Sequence, residues 1–322
     1  MNSRARVLLL FFSCLVWPLT SYSQSAGFNL VVDKETTPIP VAFAPKTFAV
    51  WSGGALVILE DRFTSNPQIH VVDREGKEIS RFLLTMPHGG GFDIADWGIA
   101  RGHNGLIAVV GTVDFPDKAG TFLAIVNPGG ADQKFVRLSN YLPRSVVVAE
   151  DATIWVVGSH MEQNVPVDRE QDLIRRYDAS GNLLTSFTTW DSMQTTGHND
   201  PAGGSVLLAG KDRVGWYSKH AHTYMEFSLD GAVITRLNSW NSSVPQPINW
   251  PVLCEDGSVF VSEQAQSEHQ IHWGIFALDR QSKNWDFTPR NELTILYGCE
   301  GTNLVSTTDL GRSITWLKPT AN

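Results

Sequence analysis

The sequence predicts an all-β fold built from one repeated unit, and three observations carry that reading. A pattern of strand, tight turn, strand, polar loop, strand, turn and strand recurs at about 50 residues. Short runs rich in β-branched and aromatic residues are bounded by Gly, Asn and Asp clusters. No window of about 12 residues carries a capped apolar stripe at i, i+3, i+4 and i+7.

Residues 1–23 read as an export signal. Arg4 and Arg6 form a basic start, an apolar run follows from Val7 to Trp17, and Ser21 and Ser23 place cleavage before Gln24. The run is shorter than the ~20 residues that span a bilayer, and no later segment approaches that length. The next apolar run, 28–32, is a strand with no sequential partner.

Six tight turns then open six units: Gly53-Gly54, Asn104-Gly105, Glu150-Asp151, Lys211-Asp212, Asp256-Gly257 and Glu300-Gly301. Such residues supply positive φ or side-chain-to-backbone bonds. Strands follow at 55–59, 106–110, 153–157, 214–217, 258–262 and 303–307. Third strands are expected at 68–72, 121–126, 173–177, 223–229, 273–278 and 313–318. Most end at Asp or Asn before a turn, as from Asp73 to Gly76, Asn127 to Gly130 and Asp178 to Gly181. Two fourth strands nearly superimpose: Leu183-Leu184-Thr185 recurs as Val233-Ile234-Thr235, 50 residues on.

The count decides the architecture. There are six first turns and six third strands but only five fourth strands, and the strand at 28–32 supplies the missing one from the opposite terminus. The expectation is a single six-bladed β-propeller of four-stranded antiparallel blades over residues 24–322, its ring closed by the N-terminal strand. Closure leaves only short, protected sheet edges.

Gln68-Ile-His-Val-Val-Asp73-Arg-Glu-Gly76-Lys-Glu-Ile, preceded by Gly54-Ala-Leu-Val-Ile-Leu-Glu-Asp61, resembles an NHL-type repeat. That repeat belongs to the six-bladed propellers that include TolB-like and SMP-30/gluconolactonase-like proteins. The group contains scaffolds, sensors, lactonases and esterases, so the resemblance implies the fold and assigns no chemistry.

Net charge is −8, and loss of Arg4 and Arg6 with the signal takes it to −10. An acidic surface argues against phosphate-driven nucleic-acid binding. The chain is expected to be secreted or periplasmic and monomeric. Cys254 and Cys299 occupy equivalent places in adjacent units, each followed by Glu and a tight turn. A disulfide and two buried thiols both stay open, since equivalent first-strand positions in neighbouring blades often exceed the ~7 Å Cα limit.

In a propeller the long second-to-third and fourth-to-first loops share one face, where functional side chains collect on a rigid support. That face is expected to carry His160, Asp168, His198, Asn199, Asp200, His220, His222, His269, Asp93, Asp96 and Asn249. His220-Ala-His222 on an extended strand would aim both imidazoles one way, and Asp200 could add a carboxylate to hold Zn²⁺ or Ca²⁺. For a calcium-assisted lactonase the resemblance implies a Glu, Asn and Asp at the central channel, for which Asp93 or Asp96, Asn199, Asn249 and Asn291 are the candidates. The acidic residue it requires at the start of the first blade is replaced by Ala44-Pro45-Lys46. Gly-x-Ser-x-Gly, His-Glu-x-x-His and phosphate-loop patterns are absent. Trp97, Trp190, Trp240 and Trp250 fall near blade junctions on the same face and suit either stacking on a glycan or packing between blades. The leading function is non-catalytic binding of a protein, peptide or glycan. The competing one is a metal-assisted hydrolase or lactonase on the same face.

Overall fold

The computed structural model describes residues 28–36, 39, 47–85, 90–114, 119–162, 165–166, 171–189, 192, 202–221, 223–238, 251–267, 270–281, 284–290, 294–308 and 313–321. Among them there is no α-helix.

β1 (Phe28–Glu35) opens the described chain. β2 (Phe48–Ser52), β3 (Ala55–Glu60), β4 (Gln68–Val72) and β5 (Glu78–Leu83) form an antiparallel meander. β6 (Phe92–Arg101), β7 (Ile107–Asp114), β8 (Ala119–Val126) and β9 (Gln133–Arg137) repeat it. β10 (Tyr141–Val148) and β11 (Ile154–Glu162) precede the short β12 (Val165–Pro166), then β13 (Asp172–Tyr177) and β14 (Leu183–Thr189). β15 (Ser205–Ala209), β16 (Arg213–Ser218), β17 (Thr223–Ser228) and β18 (Val233–Asn238) follow. So do β19 (Pro251–Leu253), β20 (Val259–Ser267), β21 (Gln270–Asp279) and β22 (Asn284–Arg290). β23 (Leu296–Glu300), β24 (Asn303–Thr308) and β25 (Ser313–Ala321) come last.

These strands make four separate four-stranded sheets and one of nine strands. The nine-stranded sheet holds two antiparallel runs, β6 to β9 and β10-β11-β13-β14, joined through one parallel pair, Ser145 with Trp97. β12 adds to β11. The sheet of the C-terminal strands takes its outer strand from the other end of the chain. β1 pairs antiparallel with β25, from Phe28 opposite Ala321 to Glu35 opposite Thr315.

The turns between third and fourth strands show why the sequence stops and reverses where it does. After β4, the Asp73 carboxylate accepts from the N–H groups of Glu75 (3.0 Å) and Lys77 (2.9 Å), and Gly76 N–H donates to Asp73 O at 3.0 Å. Gly76 closes this turn at φ 83°, open to glycine without a Cβ penalty. After β13 the same parts recur in Asp178, Asn182 and Gly181, the last at φ 78°.

Burial follows the period of two. Val57 and Leu59 of β3 pack with Ile107 and Val109 of the next meander. Leu56 and Ile58 point the other way, to Val305, Ile314 and Trp316 of the C-terminal sheet. Both faces of the sheet are thus core, which accounts for a near-continuous apolar run in place of alternation. Five of the six apolar clusters, the first among them, lie between consecutive meanders. Polar bonds cross the same junctions. Ser52 Oγ donates to Arg101 O at 2.6 Å, Gln133 Nε2 donates to Leu83 O at 2.8 Å, and Glu255 N–H donates to Gly301 O at 3.1 Å.

Cys254 and Cys299 form a disulfide, with Cα atoms 5.0 Å apart. Of the two alternatives left open by the sequence, this is the bonded one: Cys254 directly after β19 and Cys299 within β23 lie inside the ~7 Å limit.

Glu226 of β17 is fully buried and ties two meanders together. Its carboxylate accepts from Arg280 Nη1 (2.8 Å), Arg213 Nη1 (3.2 Å) and Tyr224 Oη (2.8 Å). Burial alone would raise its pKa. The bonds from Arg280 and Tyr224 and the charges of Arg280 and Arg213 outweigh that and hold it below the usual carboxylate range. A depressed folded pKa contributes stability above the unfolded value of ~4.3, and that contribution is lost as pH falls through the folded pKa. Glu226→Gln is expected to lower stability at pH 7 by about 3–5 kcal/mol and to flatten the acid limb of the stability curve. Urea unfolding of both proteins at pH 7 and pH 4 checks this, and parallel curves would refute it. Reduction of the disulfide, which spans 45 residues, should cost about 2–4 kcal/mol. An unchanged urea midpoint in dithiothreitol would contradict that.

Candidate functional site

The first strands of the meanders surround a central cavity of about 290 Å³. Its wall is apolar, with Val50, Ile99, Val147, Leu207, Val252 and Leu296 each coming from a different first strand. At one end lie the tight turns, with His103, Glu150, Lys211 and Glu255. A second cavity of about 320 Å³ lies at the starts of β6, β10 and β15, beside the loop after β3. Trp97 lines both and stands between them, its ring edge-on to Phe48 at 4.9 Å.

Two departures from regular strand geometry shape the second cavity. In β6 the register jumps between Ile94, opposite Gly111, and Ile99, opposite Val109, so the segment from Ala95 to Gly98 bulges. In β10 it jumps between Pro143, opposite Gly158, and Ser145, opposite Val157, so Arg144 bulges. A bulge re-aims side chains that a regular ladder would hold on the two sheet faces. Here Asp96, Trp97 and Arg144 become lining residues of one cavity.

Each bulge faces a glycine on the neighbouring second strand. A Cβ at Gly111 would lie 2.3 Å from Asp93 O and 2.8 Å from Ile94 Cα. At Gly158 it would lie 2.4 Å from Leu142 O and 2.8 Å from the Tyr141 ring. Tyr141 is held by its hydroxyl, whose single proton is shared between two carbonyl oxygens, Leu173 O at 2.7 Å and Val156 O at 3.0 Å. Ser145, next to the β10 bulge, accepts from Leu207 N–H at 3.0 Å and so links the site to β15.

The cavity is polar and internally paired. Arg62, from the loop after β3, forms an ion pair with Asp96, and its guanidinium lies 4.5 Å from the centre of the Phe63 ring. Asp93 and Thr112 complete the polar lining with Arg144. Asp93 and Asp96 are exposed, and Phe63 is 51% exposed.

Of the expected site residues, Asp93 and Asp96 meet here, within β6 and not before it. His220 lies beside the cavity, where a methyl at the lining residue Gly204 would sit 3.5 Å from its Nε2. It occupies the turn between β16 and β17 and not an extended strand, so the alternation argument for a shared direction with its neighbour does not apply. His160 lies in β11 opposite Tyr141, and its Nδ1 is buried with no hydrogen-bond partner among the described residues. Asp168, His198, Asn199, Asp200, His222, His269 and Asn249 lie outside the described residues. Among the described residues no group of three or more His, Cys, Asp or Glu could hold a metal ion. Two other histidines have structural partners. His70 is buried in β4 between Glu78 and Glu60, the latter at 3.3 Å, and His103 on the tight-turn side lies 3.6 Å from Glu150.

In the sequence Arg62 falls on a second-to-third loop and Arg144 at a first-strand entry, on the same face as Asp93 and Asp96; the Arg62–Asp96 pair and the bulges are what sequence reasoning missed. A signal was present in Val109-Val110-Gly111-Thr112 and its echo Val156-Val157-Gly158-Ser159. Glycine in the interior of a strand marks a bulge or a close backbone approach.

No protein-family model matches the sequence, and no curated protein does. Solved structures do resemble it in three dimensions. A member of the DUF4221 family from Bacteroides vulgatus has TM-score 0.54 and 11% identity, over 92% of this chain and 99% of that one. A protein from Bacteroides fragilis, named as an exported one, has TM-score 0.54 and 10% identity, over 93% and 96%. Hydrazine synthase from Kuenenia stuttgartiensis has TM-score 0.51 and 12% identity, over 84% and 74%. At such identities the likeness shows the fold alone, and with the sheet arrangement it places the chain among the β-propellers.

The alanine variants Gly111→Ala and Gly158→Ala should each lose about 1–3 kcal/mol, because the first clash in each is with a backbone carbonyl and, at Gly158, the next is with the hydrogen-bonded Tyr141 ring. Chemical denaturation measures this, and a wild-type midpoint in either variant would show that the bulges do not need these glycines.

Proposed function

We propose that the protein is an exported, six-bladed β-propeller that acts as a non-catalytic binding module. Its ring is closed by β1, and it presents the loop-rich mouth to a protein, peptide or glycan. The nine-stranded sheet is read as two blades joined at the Ser145–Trp97 bridge. Six first strands around one cavity support that reading, as does the apolar cluster between β3 and the C-terminal sheet. Export rests on the basic and apolar N-terminal segment. One fold neighbour named as an exported protein agrees with it. No described helix is long and apolar enough to cross a membrane.

One observation carries the binding role. Two neighbouring first strands abandon regular pairing at the same mouth, and both bulges deliver charged side chains into one cavity. Regular strands would pack a ring equally well, so the irregularity has a use other than stability.

Residues 24–322 should show a raised unfolding temperature with at least one member of a panel of short peptides and oligosaccharides. A ligand at about 100 times its Kd adds about 2.7 kcal/mol to stability. The shift should vanish in Asp93→Ala and persist in Glu255→Gln at the opposite end of the channel. A lactone or ester hydrolysed by the wild type and not by Asp93→Ala would replace the binding role with an enzymatic one.

A further inference from the structure

The cavity at the loop-rich mouth has a composition that discriminates between ligands. Its charged lining consists of Arg62, Arg144, Asp93 and Asp96, two of each sign. Arg62 and Asp96 already neutralise one another. A phosphate, a polycarboxylate or a polyamine gains affinity from surplus opposite charge, and the lining offers none. Fixed donors and acceptors are what it does offer. Guanidinium groups present planar arrays of N–H donors, carboxylates accept at two oxygens each, and the Thr112 hydroxyl does both.

The ligand chemistry that matches is uncharged and carries many hydroxyls, because each hydroxyl both donates and accepts. The exposed ring of Phe63 at the cavity edge adds an apolar surface. Its neighbour Arg62 lies over the ring at 4.5 Å from its centre. An aromatic surface beside Asp and Arg side chains suits a ring with polar edges and an apolar face. Peptides are usually bound by adding a strand to an open edge, or by apolar pockets for alternate side chains. Neither accounts for four charged side chains converging in about 320 Å³.

We propose that this cavity binds a neutral sugar, one or two pyranose rings in size, with Asp93, Asp96, Arg62 and Arg144 bonding its hydroxyls and Phe63 contacting its ring. The proposal rests on the loop-rich mouth being the binding face, and it names the class of ligand bound there.

The test is saturation-transfer NMR and calorimetry on residues 24–322. The probes are glucose, galactose, mannose, N-acetylglucosamine, cellobiose and maltose, with trialanine and inorganic phosphate as separate arms. At least one sugar should bind at millimolar concentration or better. Its affinity should fall about tenfold or more in Asp93→Ala and in Asp96→Asn, and measurably in Phe63→Ala, while Glu255→Gln leaves it unchanged. Phe63 lies outside the core, so that variant keeps the test decisive if a charge variant fails to fold. Absence of binding by every sugar, or sugar binding that none of the three variants weakens, overturns the proposal. Trialanine binding that Asp93→Ala abolishes, without sugar binding, would remove the sugar and keep the mouth as a binding face. Phosphate binding lost in Arg144→Ala would show an anion site in its place. Silence in every arm would defeat both readings.

Discussion

The structure depends on the burial of both faces of each sheet. A four-stranded meander with apolar side chains on both surfaces cannot be stable beside a single neighbour, because one of its faces would remain in water. Leu56 and Ile58 on one side of β3, Val57 and Leu59 on the other, impose this requirement on the first meander. In a linear stack the terminal sheets would each lack a partner. Here the cluster that joins β3 to Val305, Ile314 and Trp316 gives the first and last sheets to one another. The pairing of β1 with β25 then covers the C-terminal sheet with a strand from the other terminus. Nearly all other features follow from that arrangement: the repeat length, the crossing hydrogen bonds, and the gathering of first strands around one cavity.

Much of this was legible in the sequence, because turns and strand patterning are local. Asp73 and Gly76, or Asp178 and Gly181, specify their turns through bonds made within five residues. A strand left without a sequential partner, at 28–32, was legible by counting. The disulfide was legible only as one of two alternatives. The sequence puts Cys254 and Cys299 at equivalent first-strand positions, but the 5.0 Å between their Cα atoms is a property of the packed sheets.

The candidate site was legible only in outline. Asp93 and Asp96 were identified as members of the loop-rich face. Arg62 and Arg144 fall on that face too, but the way the four come together was not legible, because a bulge leaves no mark on hydrophobic periodicity. It shifts the register of four residues in β6 and one in β10, and the strands on either side still alternate. The glycines opposite are its one local trace. Gly111 and Gly158 look like weak points in otherwise β-branched runs until a Cβ is placed on each and meets the strand just before the bulge, at Asp93 and Ile94 or at Leu142 and Tyr141.

This arrangement separates what holds the sheets together from what the polar cavity can do. The junctions between sheets are closed by apolar layers and by buried groups such as Glu226 with Arg213 and Arg280, and substitution there is felt as stability. The mouth is built from side chains that contribute little to those layers: exposed Asp93 and Asp96, a loop arginine, and a phenylalanine half in water. Its shape is nevertheless fixed, since the bulges that aim Asp96 and Arg144 are braced by backbone contacts at Gly111 and Gly158 and by Ser145 holding β15. A ligand would therefore meet a preorganised set of donors and acceptors, with little ordering cost left to offset on binding. In the proposed binding role, specificity falls to Arg62, Asp93, Asp96 and Arg144, whose chemistry can vary without disturbing the apolar layers, and their positions depend on Gly111 and Gly158, which cannot vary without moving backbone.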